Sequence, residues 1–308
     1  MRAVSGEMSG GTSDEGSGEG SQDGSGKEPG RRSGGRDDVP GRRSLYAAVA
    51  VRGFRRWATY RTATAAGVFT NTVFGLIVSY SYVALWAQRP HLGGYSQSQA
   101  LTYVWIGQAL LMTMCLMGGG FEDELMERIR SGDIAVDLYR PADLQGWWLS
   151  ADLGRAVFHL LGRGVVPMVC GALVFPLALP GDAVTWLLFL AAVVLGAVVS
   201  FAVRFLVALS AFWLLDGAGV SQVVWLAGLF FSGMLLPLTV FPGWLGGLAQ
   251  ALPWAAMLQV PADVLLRRHR GLAVLPPLAL QAAWALALLA AGRALQAVAA
   301  RRVVVHGG

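Results

Sequence analysis

An all-α fold that crosses a membrane several times is predicted by three features of this sequence. Of its 308 residues, 55% are hydrophobic and only 14% charged, whereas soluble domains carry about a quarter charged residues. Past residue 44 the apolar residues fall into runs of about 20, the length that spans a ~30 Å hydrocarbon core as a helix. The basic residues, all Arg except Lys27, cluster beside those runs. Such placement reads as membrane orientation and excludes nucleic acid as a partner.

The chain opens on a polar tail, 1–44, read as disordered because residues 1–40 hold eleven Gly and eight Asp/Glu and cannot bury a core. Its "GSGKE" at 24–28 lacks both the spacing and the Ser/Thr of a phosphate loop, and no other nucleotide-binding motif occurs. No cleavable signal peptide is visible, so the first span is expected to act as its own insertion signal. Residues 45–61 read as an amphipathic interfacial helix, with Arg52, Arg55 and Arg56 on one face and Phe54 and Trp57 on another. A single six-span domain, 45–308, follows, with spans near 63–87, 100–120, 157–179, 184–213, 218–240 and 272–296.

Between the fifth and sixth spans, Gly246, Gly247 and Pro253 interrupt 243–260 and make it a poor continuous helix. A broken, re-entrant hairpin on the outer side is expected there, marked by Ser232, Gly233, Pro237, Pro242 and Pro253. With six spans, fourteen flanking Arg fall on one side and only Arg89, Arg267, Arg268 and Arg270 on the other. The richer side is cytoplasmic and would hold both termini. A seventh crossing through 243–260 would instead bring Arg267, Arg268 and Arg270 inside.

Chemistry-bearing residues are sparse. Past residue 155 the acids are Asp182, Asp216 and Asp263, all near span ends, which disfavours an ion-coupled secondary transporter with intramembrane carboxylates. Arg204 and Arg163 are expected to snorkel to the inner headgroups. His91, His159, His269 and His306 are dispersed, no metal site is expected, and Cys115 and Cys170 read as packing residues within spans. Asp123 and Glu124 echo the paired-acid motif of CAAX-type membrane hydrolases. Here the first acid is Asp, and no paired-His motif follows.

The densest charge lies at 121–155, read as a cytoplasmic loop. Eight acids against Arg128, Arg130, Arg140 and Arg155 leave it net −4, which favours a protein partner over an anionic lipid surface. Glu124 and Arg128 are spaced for an intrahelical pair, Gly132 for a helix stop and Pro141 for a second boundary. Ile134, Val136, Leu138 and Tyr139 between them could face a partner or lie on the inner leaflet.

Three stretches, in order, carry a resemblance: "RRWATYR" at 55–61, "IRSGDIAVDLYRP" at 129–141 and "FFSGMLLPLTVFPGWLGGLAQALPWAAMLQVPADVLL" at 230–266. Over residues 42–300 the chain resembles the membrane permease subunit of bacterial ATP-binding-cassette (ABC) exporters of the type-2 class. Six-span permeases of one branch carry an I-x-x-G-x-x-x-x-x-L-x-x-P-like loop, and Ser232-Gly233 and the later prolines stand where that family has its own. The resemblance implies a transport subunit of the bacterial cell membrane, not an enzyme and binding no cofactor. A separate ABC ATP-binding subunit would hydrolyse ATP. Two permease chains, identical or related, would form an export path. The loop after the second span would couple the two activities, through Glu127, Arg130, Gly132, Asp133, Asp137, Tyr139, Arg140 and Pro141.

Overall fold

The computed structural model describes residues 42–140, 142–214, 217–269 and 271–306. The tail at 1–41 and Pro141, Asp216 and Arg270 lie outside the described residues. The chain is all-helical there: α1 (Arg42–Ala58), α2 (Arg61–Gln88), α3 (Gln97–Leu110), α4 (Glu122–Ser131), α5 (Ile134–Tyr139), α6 (Leu144–His159), α7 (Val165–Val174), α8 (Ala183–Leu209), α9 (Ala218–Phe231), α10 (Gly243–Ala251), α11 (Gln259–Leu265) and α12 (Leu275–His306).

Local chemistry sets many of the boundaries. Ser96 and Gln99 form a reciprocal capping box that starts α3. The Asp143 and Asp182 carboxylates accept from the amides of Gly146 and Thr185 and so start α6 and α8. A π-helical turn, Leu160–Gly164, joins α6 to α7.

Among the described residues, four helical segments are long and apolar enough to cross a membrane: Arg61–Gln88, Leu144–Val174, Ala183–Phe212 and Gly271–Arg301. These match the expected first, third, fourth and sixth spans, although the third begins within the charged block. The expected second and fifth spans are shorter helices. α3 covers about 21 Å before the chain leaves helical geometry, with positive φ at Cys115, Gly118 and Gly119. α9 ends at a turn through Gly233, φ 89°.

α3 is buried all round from Ala100 to Leu110 and is the central helix, packed by α2, α7 and α11. α12 lies along α8, pinned where the Gln281 amide donates to the carbonyls of Ala192 and Ala256. α1 lies along α6 as closely as backbones allow. A Cβ on Gly154 would stand 1.9 Å from the Ala50 oxygen, and one on Gly53 2.3 Å from that of Ala151. Phe54 and Trp57 face α6 and pack on Phe158 and His159, and Arg52, Arg55 and Arg56 face outward, as the amphipathic pattern predicts. His159 is a packing residue with 2% of its surface exposed.

Candidate functional site

At one end of α8 the charges are folded inward. Beyond α3 the chain unwinds at 111–120 and frees carbonyls that a helix would have satisfied. Arg155 on α6 donates to two of them, Met112 at 2.7 Å and Thr113 at 3.1 Å, and Ser200 on α8 donates to Met114 at 2.5 Å. Asp152, one turn before Arg155, holds the guanidinium from behind at 2.7 Å. The other oxygen of Asp152 accepts from Arg204 at 2.6 Å, and Arg204 also reaches Glu122 at 3.1 Å. Glu122 begins α4 and accepts from the Gly120 amide. Arg204 stacks over Phe121 with its guanidinium carbon 5.0 Å from the ring centroid.

All four charged side chains are buried, and two carboxylates balance two guanidiniums. Each charge is paired and most of the remaining donors are used, which is the condition for ions to survive in a low-dielectric interior. The quartet therefore ties the unwound end of α3, α6, α8 and the start of α4 into one rigid unit.

Beside it lies a cavity of about 580 Å³, walled by Met114, Met117, Met257, Trp225 and Trp254 and rimmed by Asp123, Glu127 and Arg130. Its size suits a small organic ligand. Partial burial, reinforced by the neighbouring Glu122 carboxylate, raises the pKa of Asp123. Glu124 points away and pairs with Arg56 on α1 at 2.9 Å. The two adjacent acids thus diverge instead of converging on one water. Among the described residues no His, Cys, Asp and Glu cluster could hold a metal, and Cys115 and Cys170 are unpaired.

At the other end of α8, the turn after α9 is locked by Gln259. Its Oε1 accepts from the Leu238 amide at 2.9 Å and lies 2.9 Å from the Tyr103 hydroxyl, which is 3.0 Å from the Gly233 carbonyl. Its Nε2 donates to Asp263 at 2.8 Å and to the Tyr95 hydroxyl at 2.9 Å, and Tyr95 donates to Asp263 at 2.5 Å. Ser232 is fully buried and its carbonyl accepts from the Gln259 amide. Pro237 and Pro242 precede the 3-10 turn Leu238–Val240 and α10, and Pro253 opens the 3-10 turn Pro253–Ala256. The expected hairpin residues therefore sit at successive turns of one broken helical segment.

A family model described as ABC-2 family transporter protein matches residues 69–307. The chain belongs to the ABC-2 transporter family. A search of curated protein sequences finds no match. Family and apolar helices together make it a multi-pass membrane protein, a membrane component of an ABC transporter.

In this ABC-2 protein the expected coupling residues do not share one surface. Glu127 and Arg130 rim the cavity. Gly132 ends α4 in the left-handed region, φ 84°, as its spacing predicts. Asp133 is exposed beyond it and Tyr139 is 90% exposed. Asp137 is buried and holds Arg128 at 2.5 Å and Arg140 at 3.2 Å. Pro141 lies outside the described residues.

Several expectations are corrected. Glu124 and Arg128 do not pair within α4, because the turn at Gly132 returns Asp137 beside Arg128 while α1 offers Arg56 to Glu124. The Asp137 bond raises the pKa of Arg128. Ile134 is not available to a partner, since it packs with Leu125, Ile129 and Trp148 in the ABC-2 protein's own interior. Arg204 does not snorkel, because two buried carboxylates meet it inside. Residues 144–155 are not loop but the first turns of α6. The net −4 of the block also omits Arg52, Arg55 and Arg56, which α1 lays beside it around a groove of about 700 Å³. Glu122, Asp152, Arg155 and Gln259 were missed as key residues, although Asp152 and Arg155 three apart on an apolar helix are a legible signal of an internal pair.

Proposed function

We propose that this chain is the permease subunit of an ATP-driven exporter of the bacterial cell membrane. Two permease chains, identical or related, would form the path, and separate ABC ATP-binding subunits would bind and hydrolyse ATP. Both termini would face the cytoplasm. The chain would cross six times, with α3 continued by 111–120, α9 continued by 232–240 and the α10–α11 segment re-entering from outside.

One observation carries the reading. The α4–α5 hairpin presents an exposed face of Asp133, Val136 and Tyr139 along α5, and α4 of the same hairpin begins at Glu122, bonded to Arg204 and through it to Asp152. A push on this face would thereby be delivered to the helices beside the cavity, as coupling to an external motor requires. A membrane hydrolase is not supported by the divergence of Asp123 and Glu124.

Copurification tests the reading. The tagged full chain should bring down an ATP-binding subunit, and a D133R/Y139A variant should insert normally yet lose that subunit and its substrate-stimulated ATP hydrolysis. Undiminished capture and transport in the variant would sink the docking role of this face. Labelling of a C-terminal tag from outside intact cells would rule out the six-span orientation.

A further inference from the structure

Arg163 lies about two turns past Arg155 on the same spanning segment. Unlike Arg155 and Arg204, it pairs with no carboxylate among the described residues, and its Nε is buried without a hydrogen-bond partner. The guanidinium lies against the backbone of α2 at Gly67, where a Cβ would come within 1.8 Å of Nη2. An unpaired cation at such a position is costly, and intramembrane cations are found with a counter-charge.

The surroundings suggest what that counter-charge is. Arg163 lines a cavity of about 280 Å³ with Arg56, Trp57, Tyr60, Thr64 and His159. Both ring nitrogens of His159 are buried without a partner. Tyr60 stands between α1 and the spanning segment that begins at Arg61, which would set the cavity at headgroup depth, where Trp and Tyr are favoured. Thr64 also lines an apolar groove of about 570 Å³ between α2 and the α6–α7 segment, walled by Val68, Phe69, Phe158 and Val166. A cationic cup and an acyl-sized apolar trough therefore adjoin at Thr64.

We infer that this cavity binds the phosphodiester of an anionic bilayer phospholipid, with an acyl chain in the adjoining groove. Arg163 and Arg56 grip the phosphate oxygens by charge-assisted, forked hydrogen bonds. Arg56 is able to turn from Glu124, since that pair is solvent-exposed and weak. The site concerns the fit of the chain to its bilayer and stands independently of the exporter reading.

The test is native mass spectrometry of the full-length chain, stripped of lipid and offered phosphatidylglycerol or phosphatidylcholine of the same acyl composition. The wild type should retain one phosphatidylglycerol per chain in preference to phosphatidylcholine. Arg163→Gln should cut that retention about tenfold, the worth of one charge-assisted bond. It removes an unpaired charge, so the variant should fold. The surface variant Arg56→Gln gives a second reading and should weaken retention less. Equal retention of the two lipids, undiminished phosphatidylglycerol binding in both variants, or displacement of the lipid by inorganic phosphate alone would each overturn the proposal.

Discussion

The two ends of α8 are held together by different chemistry. At the α4 end, Glu122, Asp152, Arg155 and Arg204 form a buried ionic lattice that spans the unwound end of α3, α4, α6 and α8. At the α11 end, Gln259 gathers Tyr95, Tyr103 and the Leu238 amide by neutral hydrogen bonds, with Asp263 as the carboxylate among them. A charged lattice is intolerant of partial loss, because each removed member leaves its opposite uncompensated in low dielectric. A neutral cluster loses its bonds one at a time. Stiffness is therefore concentrated where the proposed motor would push, and yielding contacts where a path would have to open.

The sharpest way to break this contrast is Arg204→Met. It strands Glu122 and half of Asp152, and a loss of about 3–5 kcal/mol is expected, read as a large fall in the thermal midpoint of the detergent-purified chain. Glu122→Gln should cost less, because Arg204 keeps Asp152 at 2.6 Å. Next in size is Gln259→Leu, which removes partners from Leu238, Tyr103 and Tyr95 and should cost about 1–3 kcal/mol. If Gln259→Leu proved the more damaging, the ionic lattice would not be the stiffer region. The exposed Arg56–Glu124 pair, with side chains 65% and 45% accessible, should fall in the range of about 0–1 kcal/mol when Arg56 is replaced by Gln.

These ranks also show what the linear sequence can carry. Four spans, the amphipathic α1 and the stop at Gly132 are legible because each depends on residues within a few turns of one another. The Arg204 lattice joins residues 52 and 82 positions apart, so local spacing paired Glu124 with Arg128 and sent Arg204 to the lipid surface. Residues 100–120 read as one continuous helix because hydropathy averages over 111–120, where the helix in fact ends. The guanidinium that lets the backbone unwind there lies on another helix, 42 or 43 residues away. Gln259 was invisible for the same reason, since an amide in an apolar stretch reads as neutral until its partners assemble around it.

The smallest expected effect on stability belongs to Tyr139→Ala, and it separates the two ends most cleanly. Tyr139 is 90% exposed at the C-terminal end of α5, and surface replacements of this kind fall within about 0.5 kcal/mol of zero. The thermal midpoint should be unchanged. ATP hydrolysis by the ATP-binding subunit mixed with the variant should nevertheless not respond to transported substrate, because the hairpin behind Tyr139 stays rigid while its grip on the partner is gone. Arg204→Met suppressed to a folded state by low temperature should give the complementary result: the ATP-binding subunit captured, but its hydrolysis no longer linked to the cavity. Identical behaviour of the two variants, both unbound or both coupled, would show that the exposed face of α5 and the lattice are not parts of one lever.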